Sequence, residues 1–214
     1  MFRLTKKVAK AHRDSIWSTS WGDGDRLVSA SVDGSVHVWD ATRLDPLSSL
    51  EGHQLGVVST AISGDVLVTS ALDSQVRVFD LGTGRLQKTI DAGPVEAWTV
   101  DLHKDGDLIV SGSQKGTVNL WTCEGSKTAS MDSGGTFTMD VAFSPDGKAA
   151  ASCGHDGVSL STLWSECVVC RLSFLGEDYK AKLTEPPPTH THTHTHTHTH
   201  THTHTHTTRP TRTP

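Results

Sequence analysis

Along most of the chain, short runs of apolar residues alternate with polar ones at every second position, and clusters of Gly, Asp and Ser interrupt them. Residues 51 to 91 show the pattern in full. The alternation predicts strands at about Val57 to Ile62, Val66 to Ala71, Gln75 to Asp80 and Leu86 to Ile90, each with one face buried. Ser63-Gly64-Asp65, Asp73-Ser74 and Gly82-Thr83-Gly84 supply the turns between them, because Gly and Asp tolerate the backbone angles of a tight reversal.

The pattern recurs. "SASVDGSVHVWD" at 29 to 40, "TSALDSQVRVFD" at 69 to 80, "SGSQKGTVNLW" at 111 to 121 and "SCGHDGVSL" at 152 to 160 align without gaps. One column holds Asp33, Asp73, Lys115 and Asp156, at steps of 40, 42 and 41 residues; another holds His12, His53, Gly93 and Gly134, at steps of 41, 40 and 41. A four-stranded unit repeated every 40 residues or so predicts an all-β fold of propeller blades, each stacking on the next to bury what it cannot bury alone. The repeats are read as residues 12–50, 51–91 and 92–132, with a partial fourth at 133–160. An N-terminal segment, 1–11, precedes them; a divergent segment, 161–188, and a Thr-His tail, 189–214, follow.

The Gly52-His53 and Trp39-Asp40 pairs are the marks by which the chain is identified as a member of the WD-repeat superfamily. In such blades a His, a Ser or Thr, an Asp and a Trp bond in series, which lets the strands bury them. Membership implies the set His12, Ser31, Asp33 and Trp39 in blade one. Blade two keeps His53 and Asp73 but has Ala71 and Phe79, so its relay is expected to be partial. Blade three keeps Ser113 and Trp121, with Gly93 and Lys115 in the other two columns, and is expected to rely on packing. These residues are read as structural.

The blocks "SLEGHQLGVVS" (49 to 59), "DAGPVEAWTVDL" (91 to 102) and "FSPDGK" (143 to 148) resemble the WD-repeat subunit shared by the Ski complex and the Paf transcription-elongation complex. The resemblance implies a seven-bladed adaptor without catalytic activity or cofactor. Its expected partners are a tetratricopeptide scaffold and a helicase in the Ski complex, which serves exosomal mRNA decay, and Paf subunits that accompany RNA polymerase II. Nucleus and cytoplasm are the expected locations.

An adaptor needs exposed anchors where the blades surround the central channel. Trp17 and Trp98 each follow the His/Gly column by five residues, with Val58 between them in the series. Trp is enriched in binding hot spots, which makes these two candidate partner-binding residues, although the same side chains could pack between blades. Asp14, Gln54, Leu55, Pro94 and Glu96 fall on the same inferred rim.

Composition narrows the alternatives. A formal net charge of −5 offers no basic face for nucleic acid, and neither a signal-type apolar segment nor a membrane-spanning stretch is present, so the chain is expected to be intracellular. The cysteines, Cys123, Cys153, Cys167 and Cys170, are expected to be reduced thiols. Cys167 and Cys170 have the spacing of half a zinc site without a second ligand pair, so no metal site is expected. No phosphate-cradling loop, nucleophile elbow or metalloprotease motif suggests catalysis; His37, His103 and His155 read as isolated, solvated side chains.

Seven blades at this period need about 290 residues, and the match stops inside blade four, leaving about three and a half to four blades. After Gly157-Val158 the expected third strand is missing, and from Glu185 onward there is no aliphatic or aromatic residue. Thr and His alternate strictly from Thr189 to Thr207, as an AC dinucleotide tract read in triplets would encode. The tail is therefore expected to be disordered and to come, with everything after about Ser159, from a shifted frame, a retained intron or a mistaken gene model. Sequencing the transcript across Val158 to Ser161 tests that reading, and an ordinary in-frame junction would refute it. The alternatives weighed are an aberrant fragment without stable function and a His-tail metal binder. An open arc is expected to leave blade faces bare, and residues 3 to 10, which complete the last blade in this family, to lack a blade to join.

Overall fold

The computed structural model describes residues 3–93, 96–132 and 137–154, together with the backbone of two short strands beyond them. The described part is all-β. Blade one comprises β1 (Ile16–Gly22), β2 (Arg26–Ser31), β3 (Val36–Asp40) and β4 (Pro46–Leu50). Blade two comprises β5 (Val57–Ser63), β6 (Val66–Ala71), β7 (Gln75–Asp80) and β8 (Arg85–Asp91). Blade three comprises β9 (Thr99–Leu102), β10 (Leu108–Gly112), β11 (Thr117–Thr122) and β12 (Lys127–Asp132). All three are antiparallel sheets in sequential order, and β13 (Thr138–Phe143) and β14 (Ala150–Gly154) form a two-stranded fourth. Two-residue strands β15 (Leu160–Ser161) and β16 (Arg171–Leu172) pair with each other. Among the described residues no helix is long and apolar enough to cross a membrane.

Alternation builds the stack. In blade two Leu67 and Phe79 pack with Val28, Ala30 and Val38 of blade one, whereas their chain neighbours Val68 and Val78 pack with Val100, Ile109 and Trp121 of blade three. Successive side chains point to opposite faces of a strand, so a blade covered on both sides needs apolar residues at consecutive positions. Val110 and Val118 then meet Val141 and Ala150 of blade four.

The first strands are stitched across the blade boundaries by polar side chains. Ser20 Oγ donates to the Thr60 carbonyl at 2.7 Å, the Val100 N–H donates to Ser59 Oγ at 3.2 Å, and the Phe143 N–H donates to the Asp101 carboxylate at 2.6 Å. These bonds recur roughly once per repeat and bring the first strands of neighbouring blades side by side.

Blade one has no preceding blade among the described residues, and Trp21 (65% exposed) and Leu47 (56%) mark its open face. The N-terminal segment runs along that side. Its residues 3–8 form no strand, and Lys6 bonds the Arg43 carbonyl and pairs with Asp45 at 3.5 Å. Val8, Lys10 and Ala11 line a cavity of about 290 Å³ with His37, Trp39, Pro46 and Leu47, so the segment lies against blade one rather than completing a sheet.

Candidate protein-interaction face

The polar relays in the blades decide how firmly the loops above them are held. In blade one the Trp39 indole N–H donates to Ser29 Oγ at 2.8 Å, and Ser29 Oγ lies 2.6 Å from His12 Nε2. His12 Nδ1 lies 2.7 Å from Ser35 Oγ, and Ser35 Oγ donates to Asp33 at 2.5 Å. Because Ser35 spends its proton on Asp33, it must accept from His12, so the ring proton sits on Nδ1 and Nε2 accepts from Ser29. The proton donors therefore run in one direction from Trp39 to Asp33. Burial opposes ionisation of Asp33, but the bonds from Ser35, Arg13 and Ser31 outweigh it and hold its carboxyl well below the usual range.

The relay serine is thus Ser29, which corrects the expected Ser31. Ser31 instead accepts from the Asp33 N–H at 3.1 Å and shapes the turn. Blade three repeats the correction: Trp121 donates to Ser111 at 3.0 Å, while Ser113 accepts from the Lys115 and Thr117 N–H groups, both at 3.0 Å. A signal for this lay in the chain: positions 29, 69 and 111 all carry hydroxyls, whereas 31, 71 and 113 read Ser, Ala, Ser.

Blade two replaces the indole with Phe79 and fills the relay from another position. His53 Nε2 lies 2.7 Å from Thr69 Oγ1, and Arg77 reaches His53 Nδ1 at 2.5 Å and Asp73 at 2.9 Å. The Asp73 carboxylate also faces Nδ1, with both oxygens 3.2 Å away, so His53, Asp73 and Arg77 form one polar cluster. Burial, and then the Arg77 charge, push the His53 pKa down to about 4. The relay of blade two is partial, as expected, in that Phe79 offers no donor, but Thr69 supplies the hydroxyl that Ala71 lacks and Arg77 adds a link.

Arg77 shares its column with His37 and Asn119. His37 stacks on His12 with ring centroids 4.3 Å apart, so it is not isolated. Nor is His103, which is buried and bonded to Asp107 at 3.0 Å. His155, Cys167, Cys170 and the Thr-His tail lie outside the described residues.

Above the relays, the first strands open with β-bulges. Register shifts occur between Ile16 and Ser18, Val57 and Ser59, and Thr138 and Asp140. A bulge re-aims the extra residue, here Trp17, Val58 and Met139. Trp98 holds the same place in blade three, immediately before β9, with its N–H on the Gly112 carbonyl at 2.8 Å. Trp17 is 50% exposed and Met139 47%. The Trp17 and Trp98 rings lie 6.4 Å apart, and Phe137 meets Trp98 edge-on at 5.3 Å. Val58, Leu72, Ala97 and Trp98 help line a cavity of about 230 Å³. Met139 and Phe137 were missed in the sequence, although 139 falls on the 17, 58, 98 series.

Other rim candidates divide. Leu55 is exposed, as are Asp14, whose carboxylate accepts from the Ser15 N–H, and Gln54, whose N–H donates to Asp73. Pro94 lies outside the described residues. Glu96 turns inward: its carboxylate accepts from Asn119 at 3.1 Å and lies 3.8 Å from Lys115 and 3.9 Å from Lys127. It occupies the relay slot that His12 and His53 fill in the earlier blades, which corrects its placement as a rim contact. Among the described residues no cluster of His, Cys, Asp and Glu could hold a metal ion.

The family model for the WD domain, G-beta repeat, matches residues 4–40, 44–80, 84–122 and 128–158, more than half of the chain. WD repeat-containing protein SL1-17 of Schistosoma mansoni is 35% identical over 159 residues, covering 69% of this chain and 53% of the relative. WD repeat-containing protein VIP3 of Arabidopsis thaliana is 32% identical over 174 residues, covering 71% and 54%. Superkiller complex protein 8 of Dictyostelium discoideum is 34% identical over 119 residues, covering 53% and 40%. The chain thus spans about half the length of the curated relatives it matches. With its blades, relays and repeat spacing, it belongs to the WD-repeat family.

Proposed function

We propose that the chain is a non-catalytic adaptor that captures a protein partner on the rim formed by Trp17, Val58, Trp98 and Met139. The observation that carries this reading is the bulge at the head of the first strands, which keeps large apolar side chains at one end of the stack, partly in water. WD-repeat proteins generally act as interaction scaffolds, and exposed apolar clusters of this kind mark binding surfaces. Similarity to a relative named Superkiller complex protein 8 supports a tetratricopeptide scaffold of the Ski complex as the partner. The sequence blocks at 49 to 59 and 91 to 102 extend the proposal to the Ski helicase and the Paf complex, and to action in nucleus and cytoplasm.

Titrating the purified full chain with a purified tetratricopeptide scaffold by calorimetry tests the reading. Trp17→Ala and Trp98→Ala are each expected to weaken binding about tenfold or more, with unchanged melting. A scaffold that ignores the wild-type chain, or binds both variants equally well, overturns it.

A further inference from the structure

We propose that Glu96 is a positioning residue that sets Trp98 for partner capture; the partner clause rests on the function proposed above. Glu96 is only two residues before Trp98, whereas His12 is five before Trp17 and His53 five before Val58. In blade three the relay slot is therefore filled from the rim side, and whatever holds Glu96 also holds the backbone that carries Trp98.

Glu96 is gripped at two points. Ser111 Oγ donates to its carbonyl at 3.3 Å and is itself bonded by the Trp121 indole. Asn119 donates to its carboxylate, with Lys115 and Lys127 on either side. Lys127 also lies 4.8 Å above the Trp121 ring, so the cation is placed by the same indole that orders Ser111. With the Trp98 N–H on Gly112, both ends of the Glu96 to Trp98 stretch are fastened to blade three. The rim indole thus stays in one orientation before any partner arrives, and preorganisation of this kind lowers the entropy lost on binding.

The test is fluorine NMR on the full chain labelled with 5-fluorotryptophan, with Trp98→Phe assigning the Trp98 resonance. Glu96→Ala is expected to shift and broaden that resonance while those of Trp21 and Trp39 in blade one stay in place. A Trp98 resonance unmoved in a folded Glu96→Ala chain overturns the proposal. If Glu96→Ala does not fold, Glu96→Gln decides: it keeps an acceptor for Asn119 and loses the lysine attraction. The wild-type Trp98 resonance should then move between about 0.05 and 1 M salt, over which the screening length shrinks to about 3 Å, and the Gln variant should not respond. Equal responses overturn the proposal. With the scaffold, Glu96→Ala and Trp98→Ala should weaken binding by similar factors and combine less than additively. If the wild-type chain binds no scaffold, the partner reading fails, while the fluorine spectra still decide the positioning role.

Discussion

Arg77 bridges His53 and Asp73, at 2.5 Å from the imidazole Nδ1 and 2.9 Å from the carboxylate, a relationship that no other described blade reproduces. Blade one uses His37 in the same column and blade three Asn119. One repeat position therefore adapts each relay to the residues it must satisfy: an imidazole and a carboxylate in blade two, a stacked ring in blade one, a carboxylate in blade three.

A pH dependence follows from His53. Its folded pKa is depressed to about 4, below the ordinary 6.5 of the unfolded chain. Between those values the unfolded chain takes up a proton that the folded chain refuses, so stability is full above pH 6.5, falls as pH drops, and levels near pH 4. A shift of that size corresponds to a loss on the order of 3 kcal/mol. His12 is lowered too, by burial and then by His37, and adds in the same direction. Urea unfolding from pH 7.5 to 4 checks this; a flat profile across the window would refute it.

Ser29→Ala should cost more than Ser31→Ala. The first leaves the buried Trp39 indole N–H and His12 Nε2 without a partner, a loss of about 2 to 3 kcal/mol; the second removes only local bonds of Ser31 to the Asp33 N–H and carboxyl, at about 1 kcal/mol because other groups still bond that carboxyl. Matched denaturation curves rank them, and the reverse order would restore Ser31 to the relay.

The turn between the second and third strands needs a positive φ, which Gly34 supplies at 84° and Ser74 adopts at 65°. Left-handed backbone costs an L-residue about 1 kcal/mol, so Ser74→Gly should raise stability slightly despite the freer unfolded chain. Gly34→Ala should lower it, because its Cβ would also stand 3.0 Å from the His53 carbonyl oxygen. Paired melting curves should move in opposite directions.

Gly147 lies against His103. A Cβ there would fall 2.1 Å from the His103 Nε2, at a φ of +74°. Gly147→Ala is therefore expected to expel His103 from its bond with Asp107 and its edge contact with Phe143. Hydrogen exchange should quicken in β13 and β14, at a cost of about 2 kcal/mol or more. Adding His103→Ala should recover part of that loss, and a double variant no better than the single one would rule out the clash.

Which strands form was legible in the residues themselves. The four strands of blade two fall within a residue of their predicted ends, because period-two patterning and turn residues are local properties of the chain. The repeat period likewise announced that like surfaces stack on like. What the chain alone could not show was which side chains meet. Ser29 and Ser31 lie on the same face of β2, and only the pairing of Ser29 with His37 and the approach of His12 select one of them. Glu96 sits in a rim-like stretch of sequence, yet a cation on β12 and an amide on β11 draw it inward. The bulges that expose Trp17 and Met139 are backbone events invisible to alternation. Local pattern determined the blades of this protein, whereas hydrogen-bond geometry and charge, acting between segments dozens of residues apart, decided what each polar residue does in them.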